Sequence, residues 1–304
     1  MSKSIPSRRS TMSRWTTVTT LGAATWIVTS PLTGCATTDA EDAEAAVKTA
    51  TTDADGEGHN AMNHGGVAMD HGEGEGEGEG EGEGEGAGSG VDLATDDRAY
   101  LTQLGLIRGH LAVGYALYES GRRDLAQTHM KHPKAEIYTE LEPALYARGC
   151  GGFGDGLGAL TAAVVGGSEL AKVRDAYANV SAGIKACEQR ANNDDAKVIA
   201  GVIENLLRTA GVEYQIGVID GRIDNLHEYQ DAWGFTQVAA DWARDSAFGR
   251  DAKSASTAAQ IQSIVRSVEP LWPSLDPSGD IDGDAARLFG AAGQVSVAAT
   301  SLTR

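Results

Sequence analysis

An all-α fold, an antiparallel bundle of about eight helices behind a disordered tether, is what this sequence predicts. Three observations carry that prediction. Across residues 91–304 the apolar side chains recur at helical spacing, and no stretch sustains the alternation of a half-buried strand. The helical stretches are separated by short links rich in glycine, proline or Asn-Asn-Asp, which suits helices packed against their sequence neighbours. The 90 residues before them lack the apolar pattern a core needs. Eight helices joined this way allow two four-helix halves.

Each element follows from its own residues. The first helix covers about 96–120, with Leu104, Ile107, Leu111, Gly114 and Tyr118 on one face and Gly121 as its stop. The region 122–148 divides at His132-Pro133, because proline favours the first turn of a new helix, and it ends at Gly149-Cys150-Gly151-Gly152. A third helix covers 155–165, closed by Gly166-Gly167, and Ser168 with Glu169 opens a fourth that reaches about Arg190. After the break at Asn192-Asn193-Asp194, a fifth helix runs over 195–219 and is closed by Asp220-Gly221. Asn225 and Glu228 form a capping-box pair for a sixth that extends to Asp245. A seventh covers 255–271, stopped by Pro273, and an eighth covers 284–299.

The domain organisation is 1–35, 36–90 and 91–304. Residues 1–35 read as an export signal. Lys3, Arg8, Arg9 and Arg14 precede a moderately apolar stretch, 20–30, that is too short and too threonine-rich to remain as a span. It ends in Leu32-Thr33-Gly34-Cys35. These residues resemble the lipobox of bacterial lipoproteins, in which the cysteine is acylated and the chain is cut before it. The resemblance implies lipidation of Cys35 and anchoring to a membrane. Ala36 rather than aspartate follows, which implies an outer-membrane lipoprotein facing the periplasm. Both the general secretory and the twin-arginine routes stay open at Arg8-Arg9.

Residues 36–90 read as a tether. They hold 15 acids against Lys48, including seven uninterrupted Glu-Gly pairs over 73–86. Glycine raises backbone entropy and the glutamates repel, so the segment stays solvated. Of the chain's net charge of −18, the tether and signal leave −8 on 91–304. That excess of acid excludes general binding to a nucleic-acid backbone, which needs a basic face. Within the tether, His59, Met62, His64, Met69 and His71 interleave imidazole with thioether, a donor set suited to copper. The same run also reads as linker composition.

With Cys35 lipidated, Cys150 and Cys187 remain. Two cysteines in an exported chain are expected as a disulfide. For the folded part, Glu213 is the first candidate. It falls on the fifth helix's stripe of Ile199, Ile203, Leu206, Ala210 and Gly217, where a carboxylate is costly unless paired or bound to metal. The other reading is a stripe that stops near Ala210 and leaves Glu213 exposed. Tyr214 follows it, and Asp220 and Glu228 are near in sequence. His110 sits beside the inner stripe of the first helix. His129, His132 and Glu136 are spaced by three and four, which on a continuous helix shares one face and supplies metal donors, although Pro133 argues against continuity. Carboxylate, phenolate and imidazole together suit iron. Asp276, Asp280, Asp282 and Asp284 do not fit a calcium loop, because Phe289 stands where the bidentate acid belongs; turn and cap duty is the expectation. No Gly-x-Ser-x-Gly, P-loop or Cys-x-x-Cys occurs, and no enzyme is expected.

The stretch Glu213-Tyr214-Gln215-Ile216-Gly217-Val218-Ile219-Asp220-Gly221-Arg222-Ile223, followed by Glu228-Tyr229-Gln230-Asp231 and Phe235, resembles part of the helical extracytoplasmic domain fused to some bacterial high-affinity iron permeases. Arg222 replaces that pattern's lysine, and Asp231-Ala232 stands near its Glu-Met. The Gly-x-His-x-x-Glu hallmark of the related imelysin-like iron-uptake proteins is missing: aligned on His110, Arg108 and Val113 stand at its glycine and acid. The resemblance implies a helical module allied to metal uptake and partnered with a permease. The resulting expectation is a lipid-anchored periplasmic protein that binds or hands over a transition metal, iron first and copper second. The competing reading is a non-catalytic interaction or scaffold lipoprotein whose histidines and acids are structural.

Overall fold

The computed structural model describes residues 90–244 and 252–302. Asp96 caps the first helix, α1 (Asp97–Glu119), by accepting from the Ala99 amide at 2.9 Å, which satisfies a donor the helix itself cannot. α1 is buried on both flanks, Tyr100, Leu104, Ile107 and Leu111 on one and Leu106, Val113 and Leu117 on the other. It is therefore a shared inner helix rather than a one-faced surface helix. Gly121, at φ +84°, lets the chain turn back within three residues into α2 (Arg123–His132).

At Pro133 the structure departs from the sequence expectation. No new helix starts there. α2 passes into a π-helical turn, Pro133–Tyr138, and on into α3 (Thr139–Ala147), with right-handed helical dihedrals at both junctions. A proline has no amide hydrogen to give and its ring crowds the carbonyl one turn back; the wider π turn accommodates both defects. The rod is continuous.

The remaining helices are α4 (Gly154–Val165), α5 (Leu170–Glu188), α6 (Ala196–Gly217), α7 (Leu226–Ala243), α8 (Ala252–Arg266) and α9 (Ala286–Ala299), with a single 3-10 turn at Glu269–Leu271. With the α2–π–α3 rod counted as one, the described residues form eight helices. α6 stops at Gly217, two residues short of the expected end. Val218–Ile219 (β1) pairs there with Arg222–Ile223 (β2) across Asp220-Gly221, whose φ values are 51° and 74°. Two positive φ values in a two-residue loop make the turn that matches strand twist in a hairpin. Asn225 then caps α7, accepting from the His227 amide at 3.0 Å.

The helices form two closed rings of four. In the first, α1 packs on α2, α2 on α4, α4 on α5 and α5 on α1; in the second, α6 packs on α7, α7 on α8, α8 on α9 and α9 on α6. α1 joins the rings by packing on α6 and α7 as well. Cys150 and Cys187 are joined as a disulfide with Cα atoms 5.3 Å apart, which ties the glycine-rich loop after α3 to the end of α5. No helix among the described residues is long and apolar enough to cross a membrane.

One helix crossing brings buried polar groups of the two rings together. α1 and α7 meet backbone to backbone at Gly109 and Gly234. A Cβ on Gly234 would lie 2.5 Å from the Gly109 carbonyl oxygen, and one on Gly109 would enter the Phe235 ring. That approach sets His110 of α1 against Asp231 of α7.

Candidate metal centre

Three helices converge on Asp231. His110 Nδ1 lies 2.7 Å from its Oδ1 and His129 Nδ1, from α2, lies 2.9 Å from the same oxygen. His227, one turn earlier on α7, places Nδ1 3.3 Å from Oδ2. Asp231 and His129 are 0% exposed and His110 is 1% exposed. Burial alone would raise the Asp231 carboxyl, but the charges and hydrogen bonds of His110 and His129 hold it well below its ordinary range. It is thus a carboxylate, able only to accept.

His129 faces an acceptor on both sides. Its Nε2 is 2.7 Å from Gln230 Oε1, and the orientation of that amide is fixed because Gln230 Nε2 donates to the Leu275 carbonyl at 2.8 Å. Burial pushes the imidazole below its ordinary pKa, against the opposing pull of Asp231, which favours the neutral form with one N–H. One proton cannot serve both Gln230 and Asp231. With the N–H on Nδ1 it donates to Asp231; with the N–H on Nε2 it donates to Gln230, and the Nδ1 lone pair then faces the carboxylate at 2.9 Å, an arrangement that a bound cation satisfies. Gln230 then does what an outer-shell partner of a metal-bound histidine does, fixing tautomer and ring orientation.

The outer edge of the cluster is half-buried. His227 stacks on His129 with ring centroids 4.3 Å apart and lies 3.7 Å from Glu228 Oε1. Burial lowers the His227 pKa, but the nearby Glu228 and Asp231 carboxylates outweigh it, and the net direction is up. His132 sits 4.6 Å from His227, ring to ring, and holds Glu136 Oε1 at 3.0 Å. That hydrogen bond keeps the Glu136 carboxyl below its usual range.

The structure thus sorts the residues the sequence singled out. His110 and His129 come together, at Asp231. His132 and Glu136 do share a face, because the rod runs through Pro133, while the buried His129 turns its Nδ1 to Asp231 and, like His132, lies against the His227 ring. Glu228 lies beside His227 at the cluster's edge. Glu213 is 1% exposed on the α6 stripe, so that stripe continues past Ala210, yet Glu213 belongs to neither group of close donors among the described residues. Tyr214 donates to the Leu271 carbonyl at 3.3 Å within an aromatic group with Tyr229 and Trp272, and burial pushes its phenol up to about 12, which keeps it a donor. Asp276 pairs with Arg122, Asp280 with Arg222, and Asp284 caps Ala286. Cys35, His59, Met62, His64, Met69 and His71 lie outside the described residues.

Asp231, His227 and Gln230 were not singled out as site residues by sequence reasoning. A signal existed for Asp231: it shares a helical stripe with Phe235, Val238 and Trp242, the same logic that marked Glu213.

The second ring is where similarity to known proteins falls. Residues 188–301 match the iron permease-associated 4-helix bundle domain. The match covers a little over a third of the chain, and its four helices are α6, α7, α8 and α9. No curated protein and no solved structure matches the chain. The matched stretch contributes His227, Glu228, Gln230 and Asp231 to the cluster, while His110, His129, His132 and Glu136 come from helices that precede it.

Proposed function

We propose that this chain is a lipid-anchored periplasmic protein that binds a transition metal, iron first and copper second, and hands it to an iron permease without catalysis of its own. The observation that carries the metal-binding reading is the convergence of His110 Nδ1 and His129 Nδ1, at 2.7 and 2.9 Å, on one oxygen of the fully buried Asp231. Imidazole and carboxylate donors without thiolate suit ferrous iron at this site, whereas the methionines and histidines of the tether suit copper. The association with iron uptake rests on the iron permease-associated match. Anchoring and periplasmic location rest on the signal and lipobox pattern ending at Cys35.

The test is titration of the metal-free full chain with ferrous iron under anaerobic conditions. Binding that weakens at least tenfold in His129→Gln is the expected result. A parent protein that takes up no iron would leave the scaffold lipoprotein as the better account.

A further inference from the structure

We infer that Asp231 bridges two cation positions, an outer one that loads from solvent and an inner one that holds. The inference rests on the proposed metal-binding function and adds number, order and ligands to it.

The two carboxylate oxygens serve different partners. Oδ1 faces His110 Nδ1 and His129 Nδ1 at 2.7 and 2.9 Å, and Oδ2 faces His227 Nδ1 at 3.3 Å, with Glu228 Oε1 3.7 Å beyond that nitrogen. His110, His129 and Asp231 form one group of donors within 4.8 Å of one another, and His227, Glu228 and Asp231 form a second; the two do not merge into one such group. Ligands about 2.1 Å from a common ion lie at most about 4.2 Å apart. A single ion therefore cannot take all of these donors where they stand, while each group, its atoms within 4.8 Å of one another, needs only a small side-chain adjustment to close on an ion of its own with Asp231 shared. Carboxylate-bridged pairs of ions about 3.5–4 Å apart are a standard arrangement in protein sites.

Burial gives the order. The inner donors are fully enclosed, whereas His227 and Glu228 are half-buried. His132 and Glu136 stand next to His227 on the outer side, His132 with its ring centroid 4.6 Å from that of His227, and His129 stacks on its inner side at 4.3 Å. Imidazoles thus run from the exposed edge to the buried oxygen. A divalent ion arriving from solvent meets His227 and Glu228 first and reaches His110 and His129 only across Asp231. Charge agrees: Asp231 and Glu228 are both acidic, and Glu136 adds a third carboxylate at the mouth.

The experiment counts ions. Metal-free full-length protein is loaded anaerobically with ferrous iron, passed through a gel-filtration column, and assayed for iron per chain, with the loading rate recorded. The expected result is two irons in the parent. His227→Gln should retain one and load several-fold more slowly; His110→Gln should retain one and load at the parent's rate. Circular dichroism checks that each variant keeps its helices, and His227→Gln, at a half-buried position, tests the order even if His110→Gln does not fold. One iron in the parent overturns the paired site and leaves metal binding standing. No iron overturns both. Two irons retained in both variants would place them elsewhere and also overturn it.

Discussion

At the scale of single residues, the centre sets two histidines against each other in pH. His227 has a raised pKa in the folded chain, through Glu228 and Asp231, so the stability it contributes is fully present below about pH 6.5, its unfolded value, and is lost as pH rises through the folded value. His129 has a lowered pKa, so its contribution is present above about 6.5 and is lost as pH falls below it. Replacing His227 with glutamine removes the first effect. The stability gap between parent and His227→Gln, measured by urea unfolding of metal-free protein, should therefore be larger at pH 6 than at pH 8.5. A gap that widens with pH would mean that His227 is not held by the two acids. Neither histidine's role was legible beforehand in full. His110 and His129 could be marked as donors from residue type and helical position. What joins them is Asp231, 102 positions from His129, and a single chain carries no signal of which distant carboxylate faces which imidazole.

At the scale of elements, the helices were legible because their ends are written in local chemistry. Asn225 caps where the sequence places a cap, Asp96 and Asp195 cap at the expected starts of their helices, and Gly121, Gly149 and Gly167 turn the chain with positive φ. Pro133 misleads because proline at a helix start and proline absorbed in a π turn look alike in sequence. The site depends on one close crossing, that of α1 and α7. Gly234→Ala would set a methyl 2.5 Å from the Gly109 carbonyl oxygen and 2.7 Å from a Val113 methyl, both on a buried helix with little room to move. The helices must part, and overpacking of this kind costs about 1–3 kcal/mol. The thermal midpoint should fall accordingly, and iron affinity should fall with it because His110 is carried away from Asp231. An unchanged midpoint would show that the crossing is looser than the backbone separation implies.

At the scale of the whole molecule, the boundary of the similarity and the boundary of the site do not coincide. The match begins at residue 188, one position after Cys187, and covers a ring of four helices that is closed by its own contacts. That closure argues that a fragment of 188–304 can form its helices. Three things argue that it is not the functional unit. It loses the Cys150–Cys187 link. It uncovers the faces of α6 and α7 that α1 packs, where Leu206 meets Gly105 and Phe235 meets Gly109. It strips Asp231 of the imidazoles at 2.7 and 2.9 Å that keep a fully buried carboxylate ionised. The prediction is a fragment with helical circular dichroism, a thermal midpoint well below that of 91–304, binding of a hydrophobic dye, and at most one iron, held by the His227–Glu228–Asp231 side. A fragment as stable as 91–304 that keeps two irons would assign the whole centre to the matched ring. If instead the fragment melts early and loses iron that the longer chain holds, the preceding helices complete the proposed site, since they supply both histidines on Oδ1 and the glycine that lets α1 come close enough to deliver one of them.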